Sequence, residues 1–147
     1  MFAHYFAFGS NMSRRRLLAR VPGAASVGAA RLPDHRFLCN KAGSDGSCKA
    51  NIEVAVGDEV WGVVFRIQRH LLPRLDRFEG GYERRTVEVE LGEIELRCET
   101  YVSDRVLRPE AEVFDWYKQH MLVGAREHDL PALWLAKLEA LPTRPGA

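Results

Sequence analysis

Two short runs in this chain hold residue types able to do chemistry. The first is Tyr5-Phe6-Ala7-Phe8-Gly9-Ser10-Asn11, where an aromatic, apolar strand breaks abruptly into a turn. Gly9 tolerates backbone angles closed to other residues, while Ser10 and Asn11 can bond their own backbone or cap a helix. Helix formers follow from Ser13 to Arg20. A strand, a tight turn and a helix start leave several backbone N–H groups unpaired and pointing one way, which makes an anion or oxyanion receptor. The second run is Leu75-Asp76-Arg77-Phe78-Glu79-Gly80-Gly81-Tyr82, a short helix stopped by a double glycine with a carboxylate just before the stop. The helix macrodipole disfavours negative charge at a C-terminus, so the ionised form of Glu79 is mildly penalised. Read singly, each run has a plainer explanation: a turn between two core elements, and a solvated Glu at a helix end.

The elements that must position these residues can be read from periodicity. Strands are predicted over His4–Phe8, around Ala25–Leu32 and Phe37–Lys41, and over Asn51–Val56 and Glu59–Ile67, the last two joined by a hairpin at Gly57-Asp58. Tyr82–Glu90 and Ile94–Val102 form a second hairpin around Gly92, with a wet and a dry face alternating. Trp61-Gly62-Val63-Val64-Phe65 reads as buried on both faces, and Gly62 within it as a point of close backbone approach. The segment 42–47 is a turn-rich loop, either a flap or an ordinary hairpin connection. Helices are predicted over Met12–Ala19, over Arg69–Phe78, where Pro73 is tolerable only in a first turn, over Pro109–Val123 and over Ala132–Ala140. Val113, Trp116, Tyr117, His120, Met121 and Gly124 make a core stripe, with Tyr117 at its edge able to reach a cavity. Thr143 to Ala147 should fray. Strands outnumber helices and no βαβ rhythm appears, so the fold class is α+β: a small mixed β-barrel or strongly curved sheet flanked by helices.

Bulk properties narrow the function classes. At 147 residues, 46% apolar and 28% charged, the chain suits one domain, 1–147, with a hydrophobic core. A net charge of +1 gives no long-range field toward nucleic acid or anionic lipid. Arg14, Arg15 and Arg16 lack interleaved aromatics and read as a solvated helix face. No run reaches the ~18–20 apolar residues needed to cross a membrane, and Met1-Phe2-Ala3-His4 does not resemble a signal peptide, so the cytoplasm is the expected location. Cys39, Cys48 and Cys98 form neither a disulfide framework nor a Cys-x-x-Cys pair, and the histidines show no ligand spacing. No metal and no cofactor are therefore expected. Apolar residues around Trp134 and Leu135 could serve a homodimer, although core packing is the safer reading.

Taken together, the runs resemble the gamma-glutamylcyclotransferases, in the superfamily that also holds AIG2-like proteins and gamma-glutamylamine cyclotransferases. The resemblance is carried in order by Tyr5 to Asn11, Ala30-Arg31-Leu32-Pro33-Asp34, Gly57 to Phe65, Leu75 to Tyr82, and Gly124-Ala125-Arg126-Glu127 with Leu130-Pro131. It implies a compact barrel with the site at its mouth, a catalytic Glu79 and a substrate loop at Tyr5, Phe6, Ala7, Phe8, Gly9, Ser10 and Asn11. It also implies substrate contacts at Tyr82 and, by position, Tyr117. Phe8 stands where the family usually has Tyr, and the connection from Gly80 to Tyr82 is shorter than in vertebrate members. The activity implied is conversion of a gamma-glutamyl amide to 5-oxoproline and a free amine, with a small-molecule gamma-glutamyl substrate as partner, no nucleic acid or membrane, and a possible homodimer. Within the resemblance, the Gly124 to Glu127 run favours gamma-glutamyl amino acids, and the Gly9-Ser10 loop differs from that of glutathione-degrading relatives, which argues against glutathione.

Competing readings remain at this level. Asp76 lies on the same helix as Glu79 and is its closest rival as base, while Asp58, Glu59, Glu127 and Asp129 read as turn or capping residues. A hydrolase built on Ser10 would need a histidine such as His35 or His70, and no Gly-x-Ser-x-Gly elbow is present. A non-catalytic binding module would use the same pocket.

Overall fold

The apolar N-terminal run forms β1 (Phe2–Ala7), antiparallel to the long strand β3 (Cys48–Gln68), in register from Phe2 opposite Gln68 to Ala7 opposite Val63. The computed structural model describes residues 1–106 and 110–146. β2 (Ala25–Ala42) pairs with β3 along most of its length, and β4 (Glu83–Leu91) pairs with β5 (Ile94–Val102) around Gly92. Arg31 opposite Glu90 joins β2 to β4, and Tyr5 opposite Glu99 joins β1 to β5 in parallel, closing a barrel in the order β1-β3-β2-β4-β5. Across that last seam the buried Thr100 hydroxyl donates to the Phe6 carbonyl at 2.8 Å. Closure leaves no free sheet edge. This is the expected mixed barrel, flanked by α1 (Arg14–Arg20), α2 (Leu72–Phe78), α3 (Asp115–Glu127) and α4 (Ala132–Glu139).

β2 and β3 are each continuous where two shorter strands were expected. The hairpin expected at Gly57-Asp58 does not form. The β2–β3 register instead jumps from Pro33 opposite Glu59 to His35 opposite Val54, so the extra residues bulge out of β3. Asp34 kinks the facing strand with a φ of +58°, and its Oδ1 accepts the Gly57 N–H at 3.0 Å. Turn chemistry on both strands at one level produces a bulge and lets the ladder resume. The true reversal lies between Ala42 and Cys48, where Asp45 Oδ1 accepts from the Ser47 N–H at 3.1 Å and the Ser47 hydroxyl at 2.6 Å. It is an ordinary hairpin connection.

Two further expectations are corrected. Pro109, the expected helix start, lies outside the described residues. Val113–Phe114 are extended (β6) and pair in parallel with Thr143–Arg144 (β7), so α3 starts at Asp115 and Val113 leaves the helical stripe. The same pairing ties down the start of the tail expected to fray. Trp134 and Leu138 of α4 are buried, which fits core packing for that helix. Among the described residues, no helix is long and apolar enough to cross a membrane.

Two glycines set how closely the site's supports approach each other. A Cβ on Gly62 would overlap the Ala7 carbonyl oxygen, so β1 lies tight against β3, as the sequence predicts. A Cβ on Gly124 would sit 2.6 Å from the Met12 carbonyl oxygen, which presses α3 against the 3-10 turn Ser10–Met12. α3 also reaches the head of α1: Glu127 Oε1 accepts the Arg14 N–H at 3.1 Å, and the N-cap Ser13 hydroxyl accepts the Arg16 N–H at 3.4 Å. Gly124→Ala should therefore destabilise the fold by about 1–3 kcal/mol through overpacking. Calorimetry should show its Tm several degrees low, while Leu133→Ala, at a fully exposed helix position, stays close to wild type.

Candidate active site

Glu79 caps α2, its N–H donating to the Leu75 and Asp76 carbonyls at 3.1 Å. Gly81 then takes a φ of +86°, which lets the chain swing into β4. The Glu79 side chain turns back across the barrel mouth toward the Ser10–Met12 turn. Asn11 Nδ2 donates to Glu79 Oε1 at 2.6 Å and to the Tyr5 hydroxyl at 3.1 Å. Arg20 Nη1 donates to Asn11 Oδ1 at 3.4 Å and lies 4.0 Å from Glu79 Oε1. The buried Asn11 amide is thus held by three partners and fixes which way the carboxylate faces. Glu79 Oε2 accepts no hydrogen bond from the described residues.

The Glu79 side chain is 14% exposed, and burial pushes its carboxyl above the ordinary value of 4.5. Arg20, Arg16, the Asn11 bond and Lys49 pull the other way, in decreasing order, and burial outweighs them. Burial, and then the neighbouring Glu79, raise the Tyr5 phenol well above its usual range. Asp76, the rival acid, is occupied elsewhere: its Oδ1 accepts from the Tyr101 hydroxyl at 2.6 Å and pairs with Arg84 at 3.4 Å.

The opposite wall is organised around the Ala50 peptide. Its N–H donates to the Tyr117 hydroxyl at 3.0 Å, and its carbonyl accepts from the Tyr82 hydroxyl at 2.7 Å. Burial raises both phenols. Gly9 is required here for space: its φ is −113°, an ordinary value, but a Cβ would meet the Tyr117 hydroxyl at 2.9 Å.

Tyr5, Phe8, Gly9, Ser10, Asn11, Glu79, Tyr82 and Tyr117 line one cleft. Phe6 and Ala7 do not: both point away into the core, and Phe6 packs against Gly62 of β3. Phe8 packs edge-on against Phe37, with ring centroids 6.5 Å apart. The Ser10 hydroxyl accepts from Arg16 Nε at 3.0 Å, and among the described lining residues there is no histidine to activate it. Sequence reasoning missed four cations of the cleft, Arg16, Arg20, Lys41 and Lys49, against which Glu79 is the one carboxylate lining it. Arg14 and Arg15 are solvated as expected, but Arg16 turns inward. Spacing of four on one helix face links Arg16 to Arg20 and could have revealed them. The lysines become visible only once β2 and β3 are known to pair at that level.

Comparison with known proteins bears on the family and the fold. Residues 59–138 match the profile of the AIG2-like family. The gamma-glutamylcyclotransferase of Homo sapiens is 33% identical over 149 residues, spanning 93% of this chain and 77% of that protein. A solved gamma-glutamyl cyclotransferase superposes with a TM-score of 0.91 at 31% identity, covering 98% of this chain and 90% of that one. YkqA from Bacillus subtilis superposes at 0.78 with 26% identity, covering 97% of this chain and 56% of that one.

The raised Glu79 pKa has a defined sign in stability. Below the unfolded value, near ~4.3, both states are protonated and Glu79 contributes no pH dependence. As pH rises past the folded value, ionisation of the buried group works against the fold. Glu79→Gln should therefore raise Tm at neutral pH, with the gain shrinking to nothing toward pH ~4. Calorimetry across that range measures it; a variant less stable than wild type at pH 7 contradicts the assignment.

Proposed function

The chain belongs to the gamma-glutamylcyclotransferase family and has that family's cyclotransferase activity; from this premise we propose that Glu79 is its proton-transfer group, acting on gamma-glutamyl amino acids or related gamma-glutamyl amides held in the cleft. The α-amino group of the glutamyl moiety attacks its own side-chain carbonyl carbon, forming a C–N bond and a five-membered ring. The original amide C–N bond then breaks, releasing 5-oxoproline and the amine. The nucleophile travels with the substrate, so the protein supplies conformation, charge stabilisation and a proton path. Locking the flexible glutamyl chain in the reacting pose can contribute up to ~7–11 kcal/mol.

The proton path sets the demand on Glu79. An α-amino group has a pKa of roughly 8 and a free Glu one near ~4.3, so moving the proton between them is uphill by about 5 kcal/mol. Burial narrows that gap by raising the carboxyl, as it does for Glu79. With Oε1 taken by Asn11, Oε2 is available to accept the ammonium proton and later return it to the departing nitrogen. Because the α-carboxylate shares a carbon with the attacking amine, its receptor must adjoin Glu79; Arg20 and Arg16 answer that need. The N–H groups of the turn beside Gly9 face the carbonyl oxygen as charge develops on it.

The observation that carries this reading is the buried Glu79 carboxylate bonded at 2.6 Å to Asn11 of the N-terminal turn. Glu79→Gln should lower turnover of gamma-glutamyl-alanine to 5-oxoproline by roughly 10²–10⁴-fold, while its Kd, measured by calorimetry, changes by only a few fold. A variant retaining wild-type turnover removes Glu79 from the mechanism.

A further inference from the structure

Lys41 and Lys49 face each other across the β2–β3 ladder as direct register partners, and both line the cleft. Like charges placed directly opposite on a ladder are destabilising. Burial adds to the penalty, because Lys41 is only 7% exposed, and desolvation followed by the charge of Lys49 lowers its pKa. Its ammonium donates to the Gly80 carbonyl at 3.1 Å and stands 5.0 Å from the centre of the Tyr82 ring. Room for it exists because Gly81 has no side chain: a Cβ there would lie 2.8 Å from Lys41 Nζ. Neither lysine has a carboxylate partner among the described residues. The fold thus carries a like-charge pair in its cleft, held by a carbonyl and a ring face but not neutralised by a carboxylate among the described residues.

Substrate chemistry accounts for the pair. A gamma-glutamyl amino acid brings one ammonium and two carboxylates, whereas the cleft presents one carboxylate and four cations. The glutamyl α-carboxylate must lie beside the attacking amine and hence near Arg20, which is 4.0 Å from Glu79. The second carboxylate lies beyond the departing nitrogen, further from Glu79. Arg16 and Arg20 enter the cleft from α1, with Arg20 beside Glu79, whereas Lys41 and Lys49 line it from the β2–β3 ladder and are the cations left for that carboxylate. We propose that the Lys41–Lys49 pair is the subsite for the carboxylate of the departing amino acid, and so the part of this chain that tells a gamma-glutamyl amino acid from the matching uncharged amide. The proposal rests on the reading of the cleft as a gamma-glutamyl site. An analogue lacking the carboxylate leaves both cations desolvated and unpaired, which is the costly way to mismatch a polar site.

The test compares gamma-glutamyl-alanine with gamma-glutamyl-ethylamide, which differ only by that carboxylate. Wild type should prefer the alanine compound in kcat/KM by a factor of ten or more, read as 5-oxoproline released. Lys49→Gln and Lys41→Gln should each cut that ratio by about tenfold, while Lys49→Arg retains most of it. Kd values for the two compounds, measured by calorimetry, should follow the same pattern. The apo Tm of Lys49→Gln should equal or exceed that of wild type, because a like-charge pair has been relieved. A wild-type ratio near one, a ratio unchanged in both Gln variants, or a lowered apo Tm for Lys49→Gln would overturn the proposal. Failure of the underlying reading looks different: neither compound would yield 5-oxoproline, and the Kd ratios would still decide the subsite. If Lys41→Gln does not fold, the Lys49 variants alone carry the comparison.

Discussion

The contact on which the site depends is the hydrogen bond from the Asn11 amide to the Glu79 carboxylate. It ties the turn after the first strand to the end of α2, two segments 68 residues apart in the chain. The bond is short and its donor is buried, so it carries a charge-assisted interaction in a place of low dielectric. The same Asn11 Nδ2 also donates to the Tyr5 hydroxyl, and its Oδ1 accepts from Arg20, so strand, turn and helix share one buried amide. The arrangement stabilises the anion enough to keep a carboxylate inside the cleft, while burial keeps its proton affinity high. The role proposed for Glu79, accepting a proton from an ammonium and then giving it up, needs that balance.

Much of the cleft is shaped by side chains that are absent. Gly9 admits the Tyr117 hydroxyl, Gly81 admits the Lys41 ammonium, and Gly124 admits the backbone of the Ser10–Met12 turn. In each case two backbones, or a backbone and a polar group, come closer than a methyl group permits. The walls are consequently rigid where they meet, and the groups facing the substrate are held by the barrel and α3. Such preorganisation is what electrostatic catalysis requires, because donors that need not move cost nothing to reorient.

The sequence reading was accurate where chemistry is local. The turn after β1, the helix stop at Glu79, Pro73 in the first turn of α2 and the close approach at Gly62 are all written in neighbouring residues, and each forms. It went wrong where the outcome depends on a partner strand. Gly57-Asp58 has good hairpin residues, and only the matching kink at Pro33-Asp34 on β2 turns it into a bulge. The same dependence hid the lysines, since Lys41 and Lys49 become neighbours only through the continuous β2–β3 ladder. Val113 fits a helical stripe by spacing, yet its pairing with Thr143 claims it for a strand. Arg16 looked like its solvated neighbours because a run of three arginines says nothing about which one the Ser13 cap turns inward.

Barrel closure has a consequence for how the protein comes into being. β1 finds its partners at Val63–Gln68 and at Glu99, and the turn that follows it is seated by Gly124 of α3. These long-range pairings must bear the entropy of closing large loops before any contact rewards it. The cleft that Asn11 and Glu79 share is thus assembled from segments far apart in the chain, and neither segment can form it alone.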